Sequence, residues 1–272
     1  MSEWRTAVAP AKLNLALVVG PLRRDGKHEV VTLMDRLALA DTVALRSAGS
    51  TRVWGFDDDT LVTAALDGLS GLVGGGQHFE ARIEKRIPVA AGLGGGSSDA
   101  ATALLLGNAL LDVPFSAETL LELAASLGAD VPFFLTDGPQ LGTGNGTTLR
   151  PVTLPRDYAV LLALPEGVTK SGTSVVYRAF DERRGEDGYE PRRAALLSAL
   201  EDLNAPADFA RLPPNDLASS PLAAELTAAG ALRADVTGAG PVVYGIFASN
   251  ADAAVAADVL DAKARTWITA PG

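Results

Sequence analysis

Between Pro88 and Asp99 the chain reads Pro88-Val89-Ala90-Ala91-Gly92-Leu93-Gly94-Gly95-Gly96-Ser97-Ser98-Asp99, with four glycines in five positions. Upstream, Phe79, Ala81 and Ile83 alternate with Glu80, Arg82 and Glu84, which is strand periodicity over 78–87. Downstream, an apolar run from about Ser98 to Leu111 predicts a helix. The glycines therefore join a strand to a helix. They tolerate positive φ and bring backbone close to a ligand, while the helix N-terminus presents N–H groups and the positive end of its dipole. Ser97 and Ser98 are placed to cap the helix or donate to an anion. A phosphate-binding loop is the reading these features favour, with a flexible connector as the other. It is not a Walker A motif, because no Gly-Lys-Ser/Thr follows, and Ser97 breaks a Gly-x-Gly-x-x-Gly pattern.

The rest of the chain mixes both kinds of element, which predicts an α+β protein. Strands are expected over 7–19, within 29–48 and over 158–164, the last a continuous apolar run buried on both faces. Glycine-rich residues 140–153 and the segment 231–247 around Thr237-Gly238-Ala239-Gly240-Pro241 read as hairpins. Helices are expected over 59–72, 116–127 (capped by Ser116), 172–180, 190–202, 216–229 and 250–263. The polar stretch 181–191 reads as a mobile surface loop, and a domain boundary falls near 150–155.

Composition narrows the chemistry. The 272 residues contain no Cys and only His28 and His78, which excludes disulfides, thiol catalysis and a poly-His or Cys-ligated metal site. The formal charge of −10 argues against broad nucleic-acid binding, though a local cleft can still hold a phosphate. No signal-peptide pattern opens the chain, and no apolar run approaches the roughly 18 residues of a membrane span. A soluble protein of the reducing cytoplasm is expected, with no membrane partner.

Two further segments carry chemistry. In Pro10-Ala11-Lys12-Leu13-Asn14-Leu15, period 2 puts Lys12 and Asn14 on one face of an otherwise apolar strand. That suits either a cleft wall holding a phosphate or ionising hydroxyl or a solvent-facing edge with a gatekeeper lysine. In Gly128-Ala129-Asp130-Val131-Pro132, Asp130 is either the cap of a short turn or a general base for a substrate hydroxyl. His28 follows a tight Asp25-Gly26 turn and on sequence alone is more simply a surface histidine, as Tyr177 is more simply a core aromatic. Asn215 and Asp216 read as caps of the helix over 217–229.

Together these segments resemble the galactokinase, homoserine kinase, mevalonate kinase and phosphomevalonate kinase (GHMP) superfamily. The glycine loop carries that likeness. The Lys-x-Asn strand, Arg24-Asp25-Gly26-Lys27-His28-Glu29, Asp41-Thr42-Val43, Gly128-Ala129-Asp130-Val131-Pro132, Asn215-Asp216-Leu217 and Thr237-Gly238-Ala239-Gly240-Pro241 extend it over nearly the whole chain. They are similar to the family within it that phosphorylates 4-diphosphocytidyl-2-C-methyl-D-erythritol in the non-mevalonate isoprenoid route.

The resemblance implies a two-lobed fold, with a ribosomal protein S5 domain 2-like N-terminal lobe and a ferredoxin-like C-terminal lobe. It implies an ATP-binding domain over 1–152 and a substrate-side domain over 153–272. It implies catalysis by Lys12 and Asp130, the latter taking the proton of the substrate's 2-hydroxyl. ATP phosphates would lie on Pro88, Val89, Ala90, Ala91, Gly92, Leu93, Gly94, Gly95, Gly96, Ser97 and Ser98, with Mg²⁺ carried by the ATP. Asn14, His28, Thr173 and Tyr177 would bind substrate, His28 at the cytosine edge and Tyr177 stacked on the base, while Gly238 and Gly240 close the site. Lys27 stands where the family usually has Tyr, and Ala239 where it usually has Ser. The enzyme is expected to act as a monomer or weak homodimer on small molecules alone. The competing readings are a homoserine or mevalonate type of kinase and, from a different class, an inactive nucleotide-binding paralogue.

Overall fold

The computed structural model describes residues 3–56, 60–168 and 172–272. Asp59, the first residue of the expected helix 59–72, and residues 169–171 ahead of Thr173 lie outside the described residues, as do Met1 and Ser2. The chain divides into two compact units that interleave along the sequence. One comprises Met1–Ala11, Leu39–Val89 and Gly94–Asp137, and the other Lys12–Ala38, Ala90–Leu93 and Gly138–Gly272.

Two long strands serve both units: β1 (Arg5–Leu22), which pairs with β2 (His28–Ala48). In the first unit, residues 42–48 of β2 run antiparallel to β4 (His78–Glu84), with Thr42 opposite Glu84 and Ala48 opposite His78. A short β3 (Arg52–Trp54) lies parallel on the far side of β4. The alternation seen in the sequence holds: Phe79, Ala81 and Ile83 are buried, whereas Arg82 and Glu84 are exposed.

Three helices, α1 (Thr60–Leu72), α2 (Gly95–Asn108) and α3 (Ala117–Leu127), complete this unit. Glycine sets their spacing. A Cβ on Gly107 of α2 would sit 2.8 Å from a Leu69 methyl, and one on Gly68 of α1 would sit 2.8 Å from a Leu123 methyl. The neighbouring Asn108 bonds both backbone groups of Phe115 and so fixes the turn into α3. Ser116 caps α3 as expected, accepting from the Thr119 N–H at 3.3 Å.

In the second unit, residues 32–34 of β2 pair with β5 (Gln140–Thr143), which forms a hairpin with β6 (Thr148–Pro151). A separate antiparallel sheet has the order β10-β7-β9-β8, from β7 (Ala159–Pro165), β8 (Arg233–Val236), β9 (Val243–Phe247) and β10 (Ala264–Thr269). Helices α6 (Pro221–Ala228) and α7 (Asn250–Leu260) pack on it through Leu222, Leu226, Ala253 and Leu260 against Leu161, Val243 and Phe247. Each large aliphatic side chain so covered contributes roughly 1.5–3 kcal/mol. Helices α4 (Thr173–Glu182) and α5 (Tyr189–Glu201) belong to the same unit.

Several expectations need correction. Residues 181–188 are not a loose loop. Gly185 N–H bonds Phe180 C=O at 2.9 Å, Tyr189 N–H bonds Glu186 C=O at 3.0 Å, and Arg192 Nη2 donates to Gly185 C=O at 2.7 Å. Helix α6 starts at Pro221 under a Ser220 cap rather than at 216, because Asn215 and Asp216 are committed elsewhere. Residues 264–269, past the helices the sequence pattern carries, form a strand of the second sheet.

Candidate active site

The glycine segment leaves β4, turns, and enters α2 earlier than the apolar pattern suggests. The helix starts at Gly95, and its N-cap is Gly94 in the left-handed region (φ 70°) with no side-chain cap. Neither serine caps it. Ser97 is half-buried. Ser98 is fully buried, its N–H bonds Gly94 C=O at 2.9 Å, and its hydroxyl has no hydrogen-bond partner among the described residues. An unsatisfied buried hydroxyl at a helix N-terminus is costly unless a ligand completes it.

Below this turn, Lys85 Nζ donates to Asp41 and, at 2.6 Å, to Asp99. Asp41 also accepts the N–H groups of Arg86 and Ile87 at 2.5 and 2.8 Å. Burial alone pulls the Lys85 ammonium down, but its bonds and charge contacts with Asp41 and Asp99 reverse that, so its pKa is raised. A Cβ on Gly95 would lie 3.3 Å from Lys85 Nζ and 3.2 Å from an Ile87 methyl. The backbone therefore passes close over a half-buried cation. Asp130 belongs to this unit, half-buried just ahead of the 3-10 turn Pro132–Leu135. That turn is capped by Val131 with no side-chain bond, so the capping role for Asp130 is not what the structure shows.

In the second unit the lysine strand meets the middle of the glycine segment. Lys12 is 3 % exposed and not a solvent-facing gatekeeper. Its N–H bonds Leu93 C=O at 2.9 Å, and its Nζ donates to Asn14 Oδ1. Asn14 Nδ2 donates to Thr32 Oγ1 at 2.8 Å, and that hydroxyl donates to Ala16 C=O at 2.9 Å. The Asn14 N–H bonds Thr237 Oγ1 at 3.0 Å.

The third glycine motif closes on the same place. A Cβ on Gly238 (φ +58°) would come within 3.3 Å of Asn14 Oδ1 and 3.4 Å of Lys12 Nζ. One on Gly92 (φ +83°) would sit 2.6 Å from Thr237 C=O and 3.0 Å from Gly240 C=O. Lys12, Asn14, Gly92, Gly238 and Gly240 are thus gathered at one point.

Asn215 was not among the residues expected to matter here. It anchors the motif: its Nδ2 donates to Val236 and Gly238 C=O at 2.8 and 2.7 Å. Asp216 accepts the Val19 N–H at 2.8 Å and Arg192 Nε at 3.0 Å, tying the segment to β1. Behind it, buried Arg233 bonds Tyr244 Oη at 2.7 Å, and Tyr244 Oη donates to Leu15 C=O at 2.8 Å. Burial pushes the Tyr244 phenol up to about 12.

A second constellation lies on α4. His28 is buried, not on the surface. Its Nε2 is 2.7 Å from Asp181 Oδ1, its ring stacks on Tyr177 (centroids 4.9 Å apart, 26° between planes), and Phe180 meets it edge-on. Tyr177 is therefore brought to His28, while Thr173 is exposed at the start of α4. Lys27 is exposed.

Two family models match the chain. The model described as GHMP kinases N terminal domain matches residues 60–138, and GHMP kinases C terminal matches 192–266. A 4-diphosphocytidyl-2-C-methyl-D-erythritol kinase of Salinispora tropica is 36 % identical over 267 residues, covering 90 % of this chain and 84 % of its own. That of Rhodococcus jostii is 39 % identical, covering 91 % and 85 %. The chain belongs to this kinase family.

A crystal structure of 4-(cytidine 5'-diphospho)-2C-methyl-D-erythritol kinase superposes with a TM-score of 0.79 at 32 % identity, over 98 % of this chain and all of that one. The fold is the two-lobed α+β arrangement of GHMP kinases, and the protein is an ATP-dependent small-molecule kinase. Among the described residues no helix is long and apolar enough to cross a membrane.

Proposed function

We propose that this kinase transfers the γ-phosphoryl group of ATP to the 2-hydroxyl of 4-diphosphocytidyl-2-C-methyl-D-erythritol, a step of non-mevalonate isoprenoid synthesis. The relatives' substrate supports the choice of acceptor. The observation that carries the reading is the buried Lys12 ammonium, held by Asn14 at the point where Gly92 and Gly238 converge. A fixed cation flanked by close-packed glycine backbone suits charge developing on a transferring phosphoryl group.

In this reading residues 1–152 supply the ATP-binding part, and 153–272 the substrate side, to which Asn14 and His28 of the first stretch also contribute. Asp130 accepts the hydroxyl proton, the freed oxygen attacks the γ-phosphorus, and ADP leaves. Lys12 balances the negative charge of the attacking oxygen and phosphates. The phosphates lie on residues 88–98, where the first N–H groups of α2 are unclaimed by the helix. The orphaned Ser98 hydroxyl fits an ATP–Mg²⁺ group as a ligand to phosphate or ion. Mg²⁺, when bound, neutralises the β- and γ-phosphate oxygens. Asn14 faces the methylerythritol part and holds Lys12. His28, Thr173 and Tyr177 bind the cytidyl end, and Gly238 and Gly240 keep bulk away from the phosphates.

A coupled ADP-release assay tests the acceptor. With Mg·ATP, release is expected with the cytidyl substrate and not with homoserine, mevalonate or galactose. Release with one of those alcohols instead would keep the kinase and move its specificity.

A further inference from the structure

The His28 contacts point to a residue that neither the motifs nor the relatives' names single out. Asp181 lies in the last turn of α4, one turn beyond Tyr177. Its carboxylate is about half exposed, while the His28 ring it bonds is almost fully covered. An ionised carboxylate only accepts hydrogen bonds, so the 2.7 Å contact requires the hydrogen to be on His28 Nε2. In neutral imidazole that leaves Nδ1 as the ring's acceptor. Tyr177 on one face and the Phe180 edge fix the ring plane, so the direction of that acceptor is fixed too.

Resting on the reading that His28 meets the base, we propose that Asp181 is a positioning residue that sets cytosine over uracil. Cytosine presents an exocyclic amino donor where uracil presents a keto acceptor. An Nδ1 acceptor pairs with the first and opposes the second, and opposition of like groups is a direct source of specificity. Without Asp181 the imidazole can exchange its two nitrogen roles in the same ring plane, so Nδ1 can donate to a keto oxygen. Val176 and Phe180 pack with Leu17, Val19, Val30 and Leu217, so the apolar face of α4 is held by contacts other than the carboxylate.

The test measures kcat and KM for 4-diphosphocytidyl-2-C-methyl-D-erythritol and its uridine counterpart in wild type, Asp181→Ala and Asp181→Glu, with the KM for ATP alongside. Asp181→Ala is expected to raise KM for the cytidyl substrate about tenfold, the scale of one lost hydrogen bond. It should lower the cytidyl-to-uridyl kcat/KM ratio by at least as much, with kcat and the KM for ATP nearly constant. Asp181→Glu should recover part of the ratio. An unchanged ratio, or equal losses for both substrates and for ATP, would overturn the proposal while leaving the kinase assignment intact. No turnover of the cytidyl substrate by wild type would instead remove the functional reading, and this inference with it.

Discussion

A lysine ammonium buried in the core needs acceptors that hold it in place, because an ion without partners costs several kcal/mol. Asn14 is one such acceptor for Lys12, and its amide is itself oriented by Thr32. The proposed proton transfer rests on a second single residue. Asp130→Asn removes a base without changing size, so ATP affinity by calorimetry should hold while kcat falls about 10²- to 10⁴-fold. Turnover near the wild-type rate would end that role. Gly92 is constrained more tightly than either. Its φ of +83° and the 2.6 Å approach of Thr237 C=O leave no room for a methyl group. Gly92→Ala should therefore lower stability by about 1–3 kcal/mol in denaturant unfolding and weaken ATP binding. The neighbouring Gly95→Val should weaken ATP binding by pressing the turn off Lys85 and Ile87.

At the level of elements, the half-buried Lys85 and the buried Asp41 and Asp99 tie the end of β4 and the strand β2 to the first turns of α2. Lys85→Met leaves two buried carboxylates without that ammonium, so a loss of about 3 kcal/mol is expected at neutral pH. The sign with pH follows from the raised lysine pKa. Its stabilisation is fully present below the ordinary value of 10.5 and is lost as pH rises through the higher folded value. The gap between wild type and variant in urea unfolding should thus narrow in strong alkali; a gap constant with pH would contradict the ion-pair account.

Elements with strong local signals were legible in the sequence: the alternation of β4, the Ser116 cap of α3, and the apolar run of β7. Those that depend on distant partners were not. Three-residue β3 exists only by pairing with β4, and β10 only by pairing with β7. Asn215 makes one local bond, accepting the Leu217 N–H, but its amide nitrogen and the Asp216 carboxylate reach Gly238, Val236, Val19 and Arg192 far away in sequence. Residues 181–188 are polar as a loop is, but their backbone is bonded to Phe180 and Arg192.

Across the whole molecule, the motifs converge within each compact unit although they lie far apart in sequence. Lys12, Gly92 and Gly238 meet in one, and Lys85, Asp99 and the head of α2 meet in the other. His28 and Asp181 are 153 residues apart and in contact. The lysine strand, the glycine segment and the Asp130 turn were readable as separate pieces of chemistry. The meeting of Lys12 with Gly92 and Gly238 was not, because it depends on long-range pairing that periodicity does not carry. Everything proposed for these residues comes down to one phosphoryl transfer. The most direct test is ³¹P and ¹³C NMR of the enzyme with Mg·ATP and 4-diphosphocytidyl-2-C-methyl-D-erythritol. The account predicts ADP and a new phosphomonoester coupled to C2 of the methylerythritol. ADP accompanied by inorganic phosphate, or a phosphate on any other carbon, would contradict it.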